Sequence, residues 1–331
     1  MAERVHDAVS ASWLPPDSIL RARGRIFMSI DRPMPTEESI LEFLDVCEGF
    51  YPPDAVEASI EQQRQWYDAL CARFDHALPQ GMVYADGMVL RIPIRRYRPR
   101  TITTSTVLLY LHGGGFVVGS LESHHSICAE IADFAGAELV SVDYRLAPEY
   151  RWPAQSEDCF LVLKHLLSST GSKVVIIGDS AGANLAAGLA IRALGEALPG
   201  IAGQVLVYPA LGGDLQKGSY VEMANAPGLT TADVAYYRNV LQAPMHHPVA
   251  APLHAVSVEG LAPAFITVAR FDPLRDDGRA YAAQLAEAGV EVWFREEPQM
   301  VHAWLRARHM SEGARAGFKA VCEAVRLFAS R

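Results

Sequence analysis

The sequence predicts an α/β architecture: a mostly parallel, twisted sheet with helices on both faces and an N-terminal helical cap. Three observations carry this. From about Gly81 onward, short apolar or β-branched runs alternate with helical stretches. Residues 1 to about 80 are instead rich in Glu, Arg and Pro and show only helical periodicity. Finally, two glycine-containing turns, His112-Gly113-Gly114-Gly115-Phe116 and Gly178-Asp179-Ser180-Ala181-Gly182, each close an apolar run. The expected division is therefore a cap region, 1–80, and a larger α/β domain, 81–331.

Within the first region, Ser39 precedes the helical stripe Ile40, Leu41, Phe43 and Leu44. Asp54 with Glu57, after Pro52-Pro53, predicts a capping-box start for a second helix, striped by Val56, Ile60, Tyr67, Leu70 and Phe74. Asp86-Gly87, between Met82–Ala85 and Met88–Arg95, predicts a hairpin turn at one edge of the sheet. Further strands are expected at Val107–Leu111, Glu138–Asp143, Lys173–Ile177, Gln204–Tyr208, Ala264–Phe271 and Val290–Glu297. The last of these, last also in chain order, is placed at a sheet edge, where unpaired backbone groups invite a second copy of the chain. There are no internal repeats and no low-complexity tract.

The segment Gly178–Gly182 lies between the run Lys173–Ile177 and the small-residue helical stretch Ala183–Leu194. Strand, sharp turn and helix with serine at the tip is the nucleophile-elbow pattern. A neutral hydroxyl attacks a carbonyl only if it is exposed, pressed on a base and faced by donors for the developing oxyanion. Glycines on both sides of Ser180 let the chain double back. The second glycine run can supply backbone N–H donors, so Gly113, Gly114 and Ala181 are the expected oxyanion hole. The run lacks G-x-G-x-x-G spacing and no Gly-Lys-Ser/Thr follows it, which argues against a phosphate loop.

An acid and then a histidine should follow in chain order. Asp272 closes the run Ala264–Phe271 and precedes Pro273, which puts its carboxylate at the carboxyl edge of the sheet. Asp276 and Asp277 suit instead the cap of a helix over Gly278–Ala288. His302, in the loop after Val290–Glu297 and Pro298, is the expected base; the one later histidine, His309, falls in a helical-looking segment. His246, His247 and His254 have no zinc-ligand spacing and are interrupted by Pro248 and Pro252, so they read as loop residues.

His112–Phe116, Gly178–Gly182, Asp143-Tyr-Arg-Leu-Ala-Pro-Glu149, Trp152-Pro-Ala154 with Asp158, and Asp272-Pro-Leu-Arg-Asp276 together resemble the hormone-sensitive-lipase-like bacterial esterases of the GDSAG branch. The resemblance spans roughly Val107 to Arg331. It implies an α/β-hydrolase fold, triad roles for Ser180, Asp272 and His302, the oxyanion donors named above, no cofactor and a preference for short acyl chains. It also implies dimers through the last strand in some relatives. The chain departs from the family's pattern at Ala183, usually glycine; at Ala303-Trp304, where Gly-Phe is usual; and at His247-Pro248, where Asp-Pro is frequent. The Asp143–Glu149 motif is expected to fix loop geometry. Trp13, Leu14, Ile26, Phe27 and Met28 are candidates to line a pocket under the cap.

A chain of 331 residues with 50% hydrophobic content suffices for one large domain with an appendage, and the net charge of −9 argues against nucleic acid. Cys47, Cys71, Cys128, Cys159 and Cys322 form an odd, scattered set that reads as reduced and buried in a cytoplasmic protein. The N-terminus lacks an apolar signal region, and no membrane span is expected. The expected activity is carboxylester hydrolysis on a small-molecule ester. Two other readings use the same fold: an amidase or N-deacetylase with the same triad, and a non-catalytic receptor like the plant gibberellin receptors, which have lost the histidine that His302 retains here.

Overall fold

The computed structural model describes residues 34–52, 55, 58–170 and 173–331. Asp54, Val56 and Glu57, like Trp13, Leu14, Ile26, Phe27 and Met28, lie outside the described residues. Within them, β1 (Val83–Val89), β2 (Ile92–Arg98), β3 (Val107–Leu111), β4 (Leu139–Val142), β5 (Val174–Asp179), β6 (Ile201–Val207), β7 (Ala264–Phe271) and β8 (Val292–Val301) form one sheet in the order β1-β2-β4-β3-β5-β6-β7-β8. Only the β1–β2 and β2–β4 pairs are antiparallel. β8 occupies the edge expected for the last strand.

The helices are α1 (Glu38–Glu48), α2 (Ile60–Arg73), α3 (His125–Ala135), α4 (Ala154–Thr170), α5 (Ala181–Gly195), α6 (Ser219–Glu222), α7 (Thr231–Leu241), α8 (Arg275–Glu287) and α9 (Glu312–Ala329). Helices must cover both faces because the central strands are apolar throughout. In β3, Leu108 and Tyr110 enter the core shared with α1, α3 and α9, whereas Val107, Leu109 and Leu111 enter the one shared with α4, α5 and α8. Pro33–Arg331 form one compact unit. Ile40, Phe43 and Leu44 of α1 and Leu70 of α2 belong to the first of those cores, so the change of pattern near residue 80 is no break in packing.

Three local expectations are corrected. Asp86-Gly87 is not the hairpin turn: both residues lie within β1, and the chain reverses at Leu90-Arg91, with Leu90 at φ 56°. Asp86 stands directly opposite Arg95 and takes its guanidinium in two bonds of 2.6 and 2.9 Å, a cross-strand pairing that fixes this register. α2 begins at Ile60, where the Ser59 hydroxyl accepts the Gln62 N–H. α8 begins at Arg275, earlier than expected, and neither Asp276 nor Asp277 caps it. Asp276 accepts the Ser219 N–H, and Asp277 turns to the Leu211–Gly213 loop.

Candidate active site

Asp179 ends β5 and Ala181 opens α5, leaving Ser180 alone to make the turn, at φ 53° and ψ −117°. That conformation costs a non-glycine residue free energy. Its persistence follows from the neighbours. A Cβ on Gly178 would collide with the Gly182 backbone, and one on Gly182 with the Leu111 carbonyl. Only glycine at both places allows the strand and helix to approach closely enough to raise Ser180 above the sheet.

The Ser180 Oγ lies 2.9 Å from His302 Nε2, and His302 Nδ1 lies 2.7 Å from Asp272 Oδ2. The three residues come from the carboxyl ends of β5, β7 and β8, within the four adjacent strands β5-β6-β7-β8. Asp272 is fully buried, and its other oxygen accepts the Leu274 N–H at 2.8 Å, which holds the acid in the turn before α8. The His302 ring packs edge-on against Tyr208, with centroids 4.8 Å apart, and Tyr208 in turn meets Trp304. Ala303 sits at φ 62°, a left-handed position that explains why glycine is usual there. His309 is elsewhere, bonded at 3.1 Å to Glu130.

The glycine loop after β3 corrects one expected donor. Gly113 gives its N–H to Asp179 Oδ1 at 2.9 Å, facing inward, so it is not an oxyanion donor. The N–H groups of Gly114, Gly115 and Ala181 have no acceptor among the described residues. Gly114 and Gly115 adopt φ of 123° and 61°, and a Cβ on Gly115 would strike the Tyr237 ring. The sequence alone places the hole one residue early because nothing in it shows that Asp179 takes the Gly113 N–H.

Asp179 organises this wall. Its carboxylate also accepts the Tyr110 hydroxyl at 2.9 Å and faces His124 Nε2 at 3.3 Å. Burial pushes its pKa up, but His124 and the Tyr110 bond pull it well below the usual carboxylate range. His112 is fully buried and held by Gly113 O and Tyr144; burial, with His124 nearby, lowers its pKa to about 4, so it stays neutral. The Asp143–Glu149 motif fixes the adjoining loop as expected. Asp158 takes Arg145 in two 2.8 Å bonds, Tyr144 donates to His112 O at 2.7 Å, and Glu149 pairs with Arg64 of α2. Of the remaining histidines, His247 packs on Trp152 and His254 meets Gly212 O.

A family model described as alpha/beta hydrolase fold matches residues 108–306. The esterase LipI of Mycobacterium tuberculosis is 38% identical over 233 residues, covering 66% of this chain and 73% of that protein. The carboxylic ester hydrolase LipN of the same organism is 33% identical over 299 residues, covering 84% and 78%. A solved esterase from the bacterial hormone-sensitive lipase family shares the fold, with a TM-score of 0.81 over 89% of this chain and 100% of that one at 24% identity. The chain belongs to the alpha/beta hydrolase fold family, with esterases among its relatives. Among the described residues no helix is long and apolar enough to cross a membrane.

Proposed function

We propose that Ser180, His302 and Asp272 hydrolyse short-chain carboxylic esters by two-step acyl transfer. The chain is a serine carboxylic-ester hydrolase, as its relatives' activities indicate. The observation that carries the residue assignment is the single histidine bonded to both the elbow serine and a buried carboxylate. His302 Nε2 removes the Ser180 proton as Oγ adds to the ester carbonyl. Asp272 accepts the Nδ1 proton's hydrogen bond and stabilises the imidazolium. The Gly114, Gly115 and Ala181 N–H groups meet the oxyanion, aided by the positive end of α5. The intermediate collapses, the alcohol leaves with the proton from His302, and water repeats the sequence to free the acid and Ser180.

α1 and α2 serve as the described part of a cap over this site, which acts in the cytoplasm. The exposed edge of β8 pairs with a second copy, and light scattering that finds only monomer at micromolar concentration would remove that proposal. Ser180→Ala should lower kcat on the order of 10⁶-fold without loss of fold, and His302→Ala nearly as much. His309→Ala should stay within a few-fold of the parent. A covalent organophosphate on any residue but Ser180 overturns the assignment. A panel of 4-nitrophenyl esters and matched anilides should show esters preferred and kcat/KM falling beyond roughly six to eight acyl carbons. Faster anilide hydrolysis would favour the amidase.

A further inference from the structure

β5, β7 and β8 each deliver one triad residue, and β6, which lies between β5 and β7, delivers none. The residue just beyond its end at Val207 is Tyr208. Its φ is 36°, a left-handed conformation that glycine adopts freely and a tyrosine only at a cost in free energy. Pro209 follows, and a residue before proline is ordinarily held to extended backbone. The backbone here is tied to the elbow and to the strand that carries the acid. Ser180 N–H donates to Val207 O at 2.9 Å, Tyr208 N–H to Thr267 O of β7 at 2.7 Å, and Ala210 N–H to Ser180 O at 3.3 Å.

The side chain shows what this costly backbone aims. The ring is buried, meets the His302 imidazole with centroids 4.8 Å apart at an interplanar angle of 60°, and meets Trp304 at 6.0 Å and 80°. Its hydroxyl donates to Asp179 Oδ2 at 3.4 Å. Burial, with the Asp179 charge beside it, holds the phenol well above its usual pKa, so it stays a donor to that carboxylate. Asp179 Oδ1 in turn takes the Gly113 N–H, which sets the glycine loop. One rigid side chain therefore spans from the base to the carboxylate behind the oxyanion donors. Tyr110 also donates to Asp179, but its ring meets His124, at 5.8 Å. A phenylalanine at 208 would fill the same apolar space; the hydroxyl is what reaches Asp179.

We propose that Tyr208 is a positioning residue that sets the His302 imidazole and the Gly114 and Gly115 donors relative to one another, its ring acting on the first and its hydroxyl, by way of Asp179, on the second. This rests on the triad reading above. Addition of Oγ to the carbonyl needs the base behind the nucleophile and the donors before the oxygen at the same moment. An error in either place therefore slows the chemical step and leaves substrate binding alone.

The test uses 4-nitrophenyl butyrate. Tyr208→Phe keeps the ring and loses the hydroxyl, so kcat should fall about fivefold with KM unchanged. In an Asp179→Asn background the same change should cost less than about twofold, since the hydroxyl acts through that carboxylate. Tyr208→Leu loses the ring as well, and kcat should fall on the order of 10²-fold, the size of a misplacement near 1 Å, with Tyr208→Phe restoring all but the small hydroxyl loss. Losses that appear in KM instead, or a Tyr208→Phe loss that adds fully to that of Asp179→Asn, would overturn the proposal, and the Tyr208→Phe pair decides it even if Tyr208→Leu fails to fold. The imidazole proton resonances of His302, read by NMR in the Ser180→Ala protein, separate this proposal from the triad reading. They should hold in Tyr208→Phe and move toward those of a free histidine in Tyr208→Leu. Organophosphate labelling away from Ser180, with those shifts seen, would sink the triad and keep the placement of the imidazole by Tyr208. Labelling of Ser180 with kcat unmoved in both variants would do the reverse.

Discussion

Asp179, at the end of β5, and Asp277, in the first turn of α8, are both buried carboxylates that collect backbone N–H groups from a loop containing glycine. Asp179 takes Gly113 and thereby sets the loop carrying Gly114 and Gly115. Asp277 takes Leu211, Gly212 and Gly213 on one oxygen, at 2.6, 3.1 and 3.3 Å, with the Tyr220 hydroxyl at 3.0 Å. Their pKa values move in opposite directions. His124 stands against Asp179 and holds it ionised far into acid. Among the described residues no cation pairs with Asp277; burial raises its pKa to about 6, against the pull of its backbone and tyrosine donors and of Arg238. The four neutral donors of Asp277 do not offset complete burial, whereas at Asp179 the facing His124, with the Tyr110 hydroxyl and the Arg306 charge, does.

The sharpest break of this comparison is Asp179→Asn. The amide keeps one acceptor for Gly113 but loses the charge that His124 meets and turns an NH₂ toward it. The Gly114 and Gly115 donors then lose their reference to Ser180, and a misplacement near 1 Å costs about 10²-fold. We expect kcat to fall by about that factor with KM little changed, and stability to fall by about 3 kcal/mol as a buried pair is broken. Asp277→Asn, remote from the carbonyl, should leave kcat within a few-fold. If the two variants lose activity equally, Asp179 has no special bearing on the oxyanion wall.

The same pair marks what was legible in the sequence. Features set by neighbours in the chain could be read: the elbow, whose glycines are required by contacts with the turn itself and with Leu111, the buried strands, and the order serine, acid, histidine. Features set by distant partners could not. Asp277 looked like a helix cap because its true partners lie more than sixty residues upstream. Asp86-Gly87 looked like a turn because its partner Arg95 is found only once the strands pair. Gly113 looked like an oxyanion donor because nothing local shows that Asp179 already holds it.

The smallest expected effect separates the two acids by pH. Asp277 has a folded pKa of about 6, above the unfolded value of about 3.9, so between these the folded state binds more protons than the unfolded one. Its contribution is therefore fully present below about pH 4 and is lost as pH rises through 6. Asp179, whose folded value is depressed, contributes above about pH 4 and loses that contribution as pH falls further. His112 adds an opposing slope to that of Asp277, since its neutral folded form loses stability as pH falls from about 6.5 to 4. The lowered pKa values of His76 and His125 add to the His112 slope, and the raised values of Asp68 and Asp143 add to that of Asp277, so the variant is compared with the parent at each pH. Asp277→Asn removes the Asp277 slope without touching His112. Its stability relative to the parent should rise by about 2 kcal/mol from pH 4.5 to pH 7, the size of a shift of roughly two units discounted for incomplete titration at the ends. Urea titrations across that range read the difference directly, and parallel curves for parent and variant would show that Asp277 is ionised throughout and that its burial is fully compensated by the loop.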